Sequence, residues 1–183
     1  MARNGEVRGA VQTAMSLHTA SVFQWSKMLR NLDGWLSKAV SHAESRSFDP
    51  NNFVGIRLAP DQFSFGRQVQ AACDSAKAGA ARLAGVEVPS HPDTETTIEE
   101  LRARITKTLA FLETISPDAL QGREEAEVVL PFLDGKKIKG DDYLYEFAQP
   151  NFYFHVTTTY TILRNAGVEL GKRDFIGSMK LYS

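Results

Sequence analysis

The sequence predicts an all-α protein: a four-helix bundle with a small β-hairpin between its third and fourth helices. Three observations support this. Four stretches repeat apolar residues at alternating steps of three and four, which is the spacing of one helix face. Segments rich in proline, glycine or polar residues separate these stretches. Asp134-Gly135 stands between two short apolar runs, which is a hairpin signal. Four amphipathic helices in one chain are expected to share a core.

The first helix is predicted from about Leu17 to Ser45. Its apolar face is continuous, as in a bundle helix, and consists of Val22, Trp25, Leu29, Leu32, Leu36, Ala39 and Ala43. The second helix is predicted from about Asp61 to Leu83, because Ala59-Pro60-Asp61 places a proline and an acid where helices begin. Small residues at 76–81 in this helix predict the close approach of a neighbour.

The third helix is predicted to begin at the capping box Thr97-Ile-Glu-Glu100. Its apolar residues are Ile98, Leu101, Ile105, Leu109, Leu112 and Ile115. In the hairpin that follows, Pro131 restricts its strand to a sheet edge.

The fourth helix is predicted from about Asp141 to Ala166, with Pro150 expected to kink or divide it. The tail after Gly167 is expected to fold back through Phe175 and Ile176. One face of this helix is apolar at both ends and polar in its middle; it consists of Leu144, Ala148, Asn151, His155, Thr158 and Ile162. Polar groups on a bundle seam need partners from other helices, a ligand or trapped water. This polar centre is the main functional candidate.

Composition excludes several classes of function. The chain has 183 residues and a formal net charge of -1, so no single-sign field favours nucleic acid or an anionic membrane. The N-terminus lacks the apolar run of a signal peptide, and no apolar run is long enough to span a bilayer. The one cysteine, Cys73, fits a reducing compartment and a buried structural thiol. We therefore expect a cytoplasmic protein with a flexible extension at residues 1–14 and a single domain at 15–183.

The end of the fourth helix and several earlier segments resemble the DinB/YfiT-like superfamily, and most closely an uncharacterised family within it. The resemblance rests on Arg57-Leu-Ala-Pro-Asp, Arg67-Gln-Val-Gln-Ala-Ala-Cys-Asp, Asp142-Tyr-Leu, Pro150-Asn-Phe-Tyr-Phe-His-Val-Thr-Thr and the continuation to Gly177. It implies a DinB-like four-helix bundle that is often a homodimer. Aromatic residues clustered around Pro150 exceed what one bundle can bury, which agrees with a dimer surface.

In that superfamily three histidines bind a divalent metal, one on helix two and two on helix four, four residues apart. Here His155 matches the last of them, Asn151 stands at the position of the other, and the helix-two position matches about Gln70, with Asp74 one turn on. The resemblance thus implies a degenerate metal site of Gln70, Asn151 and His155. Amide oxygens are poor ligands for zinc or nickel, so we expect no cofactor or at most a weakly held divalent metal: zinc, nickel or manganese.

Two interpretations of the site stay open. His155 is either a core histidine that hydrogen-bonds Asn151, Gln70 or Asp74, or part of a small polar pocket that binds a small-molecule ligand. We place His42, Asp74 and Thr158 in that pocket, although His42 equally fits a solvated histidine near a helix C-terminus. The corresponding functions are a binding or structural bundle whose metal site is lost, or a metal-dependent thiol transferase-like or hydrolase-like enzyme with an altered site around His155. No catalytic residue is assigned.

Overall fold

A computed structural model of the protein describes residues 16–182. It contains four long helices, a two-stranded hairpin and a short C-terminal helix, which confirms the predicted fold. The elements are α1 (Gln24–Ser45), α2 (Phe65–Ala84), α3 (Ile98–Glu113), β1 (Glu127–Leu130), β2 (Lys136–Lys139), α4 (Gln149–Asn165) and α5 (Lys172–Ile176). Residues 1–14, predicted to be a flexible extension, lie outside the described part of the chain.

The predicted apolar faces meet in one core, with α2 packed against both α3 and α4. The ring of Trp25 in α1 packs against the small residues of α2. This ring is fully buried and lies against Gly79. On its other side the Trp25 ring is tilted against Phe152 of α4, with 6.0 Å between the ring centroids. The close approach predicted from residues 76–81 is therefore made by a tryptophan.

The start of α2 differs from the prediction. The helix begins at Phe65, with Ser64 as its N-cap, and not near Asp61. The first amide groups of α2 are satisfied by the preceding loop: Phe65 donates to the carbonyl of Ile56 and Gly66 to that of Val54. Because of this pairing, residues 59–64 form a loop and not the first turn of the helix. In contrast, the capping box of α3 is present as predicted.

The hairpin pairs Glu127 with Lys139 and Leu130 with Lys136 in antiparallel register. Its connection is longer than the Asp-Gly pair alone, because a 3-10 turn at Pro131–Leu133 precedes Asp134 and Gly135. Both turn residues adopt left-handed backbone conformations, with φ of 53° and 72°. Pro131 thus stands after its strand, where its missing amide proton interrupts no pairing.

The fourth bundle helix is irregular before Pro150, as its sequence predicts. A turn at Gly140–Asp142 leads into a π-helical segment at Tyr143–Ala148, and α4 then starts with proline in its first turn. At the junction the Gln149 amide donates to the carbonyl of Leu144, five residues back. A proline ring clashes with the carbonyl four residues before it, so a widened turn at this point accommodates Pro150 without ending the helix.

The C-terminal segment folds back onto α1, as predicted. Phe175 of α5 stacks on Trp35, with 5.6 Å between the ring centroids, while Ile176 stays partly exposed. Trp35 Nε1 donates to the carbonyl of Asp174 at 3.0 Å, which fixes the crossing. Within residues 16–182, no helix combines the length and the apolar character that crossing a bilayer requires.

Candidate functional site

The predicted face of the fourth bundle helix, which comprises the π-helical segment Tyr143–Ala148 and α4, lies against α2, and its centre is polar. Its apolar end residues Leu144, Ala148 and Ile162 are buried, whereas Asn151 and His155 are half-buried. Both polar side chains bond to α2. The polar centre therefore lies at the α2–α4 contact.

His155 is held by a hydrogen bond across this contact. Its Nδ1 lies 2.8 Å from Oε1 of Gln68. An amide oxygen only accepts, so Nδ1 carries the proton and Nε2 of the neutral ring keeps a lone pair. The ring lies between two exposed aromatic side chains: nearly parallel to Phe63, with centroids 6.5 Å apart, and edge-on to Phe154, with centroids 5.2 Å apart.

The surroundings of His155 favour its neutral form. Burial of the ring is the larger cause, and the positive charge of Arg67 adds to it; together they lower the pKa of His155 below its ordinary value. Arg67 also lies over the Phe63 ring, with its guanidinium carbon 5.4 Å from the centroid. The same charge that opposes protonation of the imidazole also opposes the approach of a metal cation.

Asn151 makes a second bond between the two helices. Its Nδ2 donates to Oγ of Ser75 at 2.7 Å, and that hydroxyl donates in turn to the carbonyl of Ala71 at 2.7 Å. Together with the His155–Gln68 bond, this forms a polar seam of four side chains: Gln68, Ser75, Asn151 and His155. The seam joins α2 to α4 at positions seven residues apart on one helix and four apart on the other.

The structure corrects the predicted partners of His155. Gln70 does not face the seam; its Nε2 donates to Oε2 of Glu95 at 2.9 Å and its Oε1 accepts from Arg67 at 3.3 Å. Two residues correspond to about 200° around a helix, so Gln68 and Gln70 leave α2 on opposite sides. Asp74 also faces away from His155, toward Arg104 and Lys77.

These residues belong to an ion cluster that the sequence analysis missed. Arg104 of α3 has a side chain only 1% exposed. It binds the carboxylates of Asp74, Asp93 and Glu95, each at 2.9 Å, and the carbonyl of Pro92 at 3.0 Å. The cluster fastens the loop between α2 and α3 to both helices. A signal was present, since residue 104 falls on the same face of α3 as Leu101 and Ile105, where a charge must be paired.

Burial opposes ionisation of Glu95, yet its hydrogen bonds from Arg104 and Gln70 outweigh this and hold its pKa below the ordinary value. Gln70 and Asp74 thus both bond within the cluster, and neither bonds to His155. Burial also raises the pKa of the neighbouring Cys73 thiol to about 12, so it stays protonated and is a poor nucleophile.

Two further residues were predicted to line the pocket, Thr158 and His42. The hydroxyl of Thr158 bonds within its own helix, and His42 lies at a different groove. Thr158 is buried, and its hydroxyl donates to the carbonyl of Phe154 in its own helix at 2.7 Å. His42 packs against Phe48 and Phe53 and lines a separate groove of about 940 Å³ between α1 and the segment 169–174. His42 and His155 therefore do not belong to one pocket.

A small cavity of about 190 Å³ lies beside the polar seam. It is lined by Asp74, Ser75, Ala78, Arg82, Phe132, Tyr143, Phe147, Ala148 and Asn151. Its walls combine a carboxylate, a guanidinium and an amide with aromatic rings. Such a mixture suits a small polar molecule with an apolar part.

The donors near His155 fit a tight transition-metal site poorly. Among residues 16–182, no three His, Cys, Asp or Glu side chains are placed to hold a metal ion. At the seam itself, the potential metal donors that take no part in the interhelical bonds are His155 Nε2 and Asn151 Oδ1. Zinc and nickel sites require more nitrogen or sulfur donors than this.

Comparison with known proteins agrees with the fold. A family model described as a domain of unknown function (DUF1993) matches residues 17–176. A crystal structure of a DinB family member protein from Shewanella denitrificans is 44% identical, covers 91% of this chain and 95% of its own, and superimposes with a TM-score of 0.87. No curated protein matches. The resemblance drawn from the fourth helix is therefore confirmed, and the chain belongs to the DUF1993 family.

Proposed function

We propose that this chain is a cytoplasmic binding or structural bundle without a tightly held metal. In this proposal the polar seam fixes the register of α2 against α4, and the adjoining cavity takes a small polar ligand. The observation that carries it is the donor set of the site: its one imidazole bonds across the helices, with 2.8 Å between His155 Nδ1 and Gln68 Oε1, and among residues 16–182 no three His, Cys, Asp or Glu side chains are placed to hold a metal. Buried polar pairs of this kind can specify register in helical bundles.

A second function is favoured by one feature of the ring. Neutral His155 with a free Nε2 has the form of a general base, in a half-buried position beside two aromatic side chains. An enzyme with an altered site, thiol transferase-like or hydrolase-like, is the corresponding alternative. It requires either a metal at Nε2 or a substrate proton within reach of that atom.

Zinc addition separates the proposed bundle from the metal-dependent form of the enzyme. Protein purified without chelator is expected to contain no stoichiometric metal, and zinc, nickel or manganese is expected to leave its melting temperature unchanged. A site loaded at one hundred times its Kd would add about 2.7 kcal/mol to stability, so a tight site is easily seen. His42→Ala is the matched control for His155→Ala. A stoichiometric metal that disappears in His155→Ala and persists in His42→Ala would contradict the proposal and support the enzyme.

We also propose a homodimer through exposed aromatic side chains. Phe63, Phe132, Tyr145 and Phe154 are each at least half exposed, which is costly for large apolar rings unless they are covered. Sedimentation equilibrium is expected to give twice the chain mass, and Phe154→Ser is expected to raise the dimer Kd about tenfold or more, since central aromatic residues carry much of an interface's energy. Tyr182→Ser, at the far end of the tail, is the control. A monomer at high concentration would contradict the dimer.

A further inference from the structure

A separate groove of about 530 Å³ lies between the first half of α1 and the C-terminal tail. Its lining residues are Phe23, Gln24, Lys27, Arg30, Asn31, Ser178, Met179 and Lys180. None of them belongs to the polar seam or to the small cavity beside it. A ligand of this groove would therefore be independent of His155.

The tail that forms one wall is held in place at its base. Asn31 Nδ2 donates to the carbonyl of Phe175 at 2.9 Å. Gly177 then passes directly against the Asn31 amide with a φ of +66°, where a Cβ would collide with that amide. Both the conformation and the contact require glycine. The chain thus enters the groove wall in a defined direction, and residues 178–180 follow along α1.

The charges of the groove have one sign. Lys27 and Arg30 from α1 and Lys180 from the tail are cationic, and no lining residue within the described part of the chain is acidic. This contrasts with the formal net charge of -1 for the whole chain. The ion pair of Arg30 with Glu113, at 3.2 Å, joins side chains that are 55% and 67% exposed, so it contributes little and leaves Arg30 free to exchange partners.

The groove also contains apolar surface next to these cations. Phe23 is 41% exposed, and the Lys180 ammonium lies 5.1 Å from its ring centroid. Met179 is 64% exposed on the same side. Side-chain amides of Gln24 and Asn31 and the hydroxyl of Ser178 add hydrogen-bonding groups. Cations beside a partly exposed aromatic ring match a ligand that is anionic at one end and planar and apolar at the other.

We propose that this groove binds a small organic anion. Its phosphate or carboxylate group pairs with Lys27, Arg30 and Lys180, and its aromatic body lies on Phe23 and Met179. A phosphate group is expected to bind these cations more strongly than a carboxylate does, because it offers more acceptor oxygens and carries more charge.

Titration with three naphthalene probes and inorganic phosphate tests the proposal. We expect 1-naphthyl phosphate and 1-naphthoate to bind to the protein, and uncharged 1-naphthol and inorganic phosphate to bind at least about tenfold more weakly, because each lacks one of the two interactions. The two organic anions distinguish phosphate from carboxylate as the preferred group. If 1-naphthol binds as tightly as the two anions, or if neither anion binds, the proposal is overturned.

Paired variants locate the binding site. The double variant Lys27→Ala with Arg30→Ala is expected to bind 1-naphthyl phosphate about tenfold or more weakly, and its binding is expected to depend less on salt. Lys137→Ala with Lys139→Ala is the matched control, since it removes the same charge from exposed side chains of β2. Circular dichroism establishes that both variants are folded. Equal loss of affinity in the two variants, or none in the first, would overturn the proposal.

Discussion

Arg104→Ala is expected to lower the free energy of unfolding by about 3 kcal/mol, the largest effect of any single substitution considered for this protein. Removing the guanidinium leaves three carboxylates close together without their shared cation. The expected loss is at the lower end for a buried ion pair because Asp74 and Asp93 are 37% and 36% exposed and regain water. Urea denaturation followed by circular dichroism measures it. The free energy of unfolding of Arg104→Lys should lie between those of the unsubstituted protein and Arg104→Ala. An ammonium keeps the charge but lacks the planar guanidinium group that binds several partners at once.

Arg102→Ala is the control for this prediction, because it removes an arginine from the same helix. Arg102 pairs with Asp33 at 2.8 Å, but the two side chains are 43% and 34% exposed. Its loss is expected to cost less than about 1 kcal/mol. If Arg104→Ala also cost less than 1 kcal/mol, the ion cluster would not be what fastens the loop to α2 and α3.

Gly79→Ala is expected to destabilise the protein by about 1–3 kcal/mol, although alanine favours helix. A Cβ at this position would lie 2.7 Å from the ring of Trp25. That ring is fully buried and packs on Phe152, so it has no free space to move into. The denaturation midpoint should fall and the tryptophan fluorescence should change, because the ring itself is displaced.

Gly34→Ala provides the opposite result from the same substitution. Gly34 is exposed in α1, and a Cβ there would meet nothing within 4 Å. Only the backbone effect remains, and we expect a gain of up to about 1 kcal/mol. Two glycine-to-alanine changes in helix interiors thus differ in sign. A stabilising Gly79→Ala would show that Trp25 does not pack against α2 as described.

The helices were predictable because their pattern is local and repeated. Bundle helices bury one face each, so apolar residues at three-four spacing located all four, and the capping box located the start of α3. The start of α2 was misplaced by four residues, from Asp61 to Phe65, because it depends on hydrogen bonds to Ile56 and Val54 that are not encoded in the helix itself. Non-local backbone pairing of this kind overrides a local start signal such as Pro60-Asp61.

The site was only partly predictable. The face of α4 that carries Asn151 and His155 followed from spacing, but the partners on α2 depended on how that helix is rotated about its axis. Gln68 and Gln70 flank the core position Val69 on opposite sides, so the apolar pattern alone does not decide which one faces α4. Asp74 does line the small cavity beside the seam, but its ion pair with Arg104 did not follow from the apolar spacing, which does not reveal a buried cation.

The nitrogen-15 spectrum of the His155 imidazole, recorded with and without one equivalent of zinc, tests most directly whether this ring holds the helices together or binds a metal. We expect a neutral ring at pH 7 with the proton on Nδ1, a pKa below the ordinary histidine value, and an Nε2 resonance that zinc does not shift. Gln68→Leu should remove the preference for the Nδ1 proton. An Nδ1 resonance that Gln68→Leu leaves unchanged, or an Nε2 resonance that moves with stoichiometric zinc, would contradict the assignment of His155 to the interhelical bond.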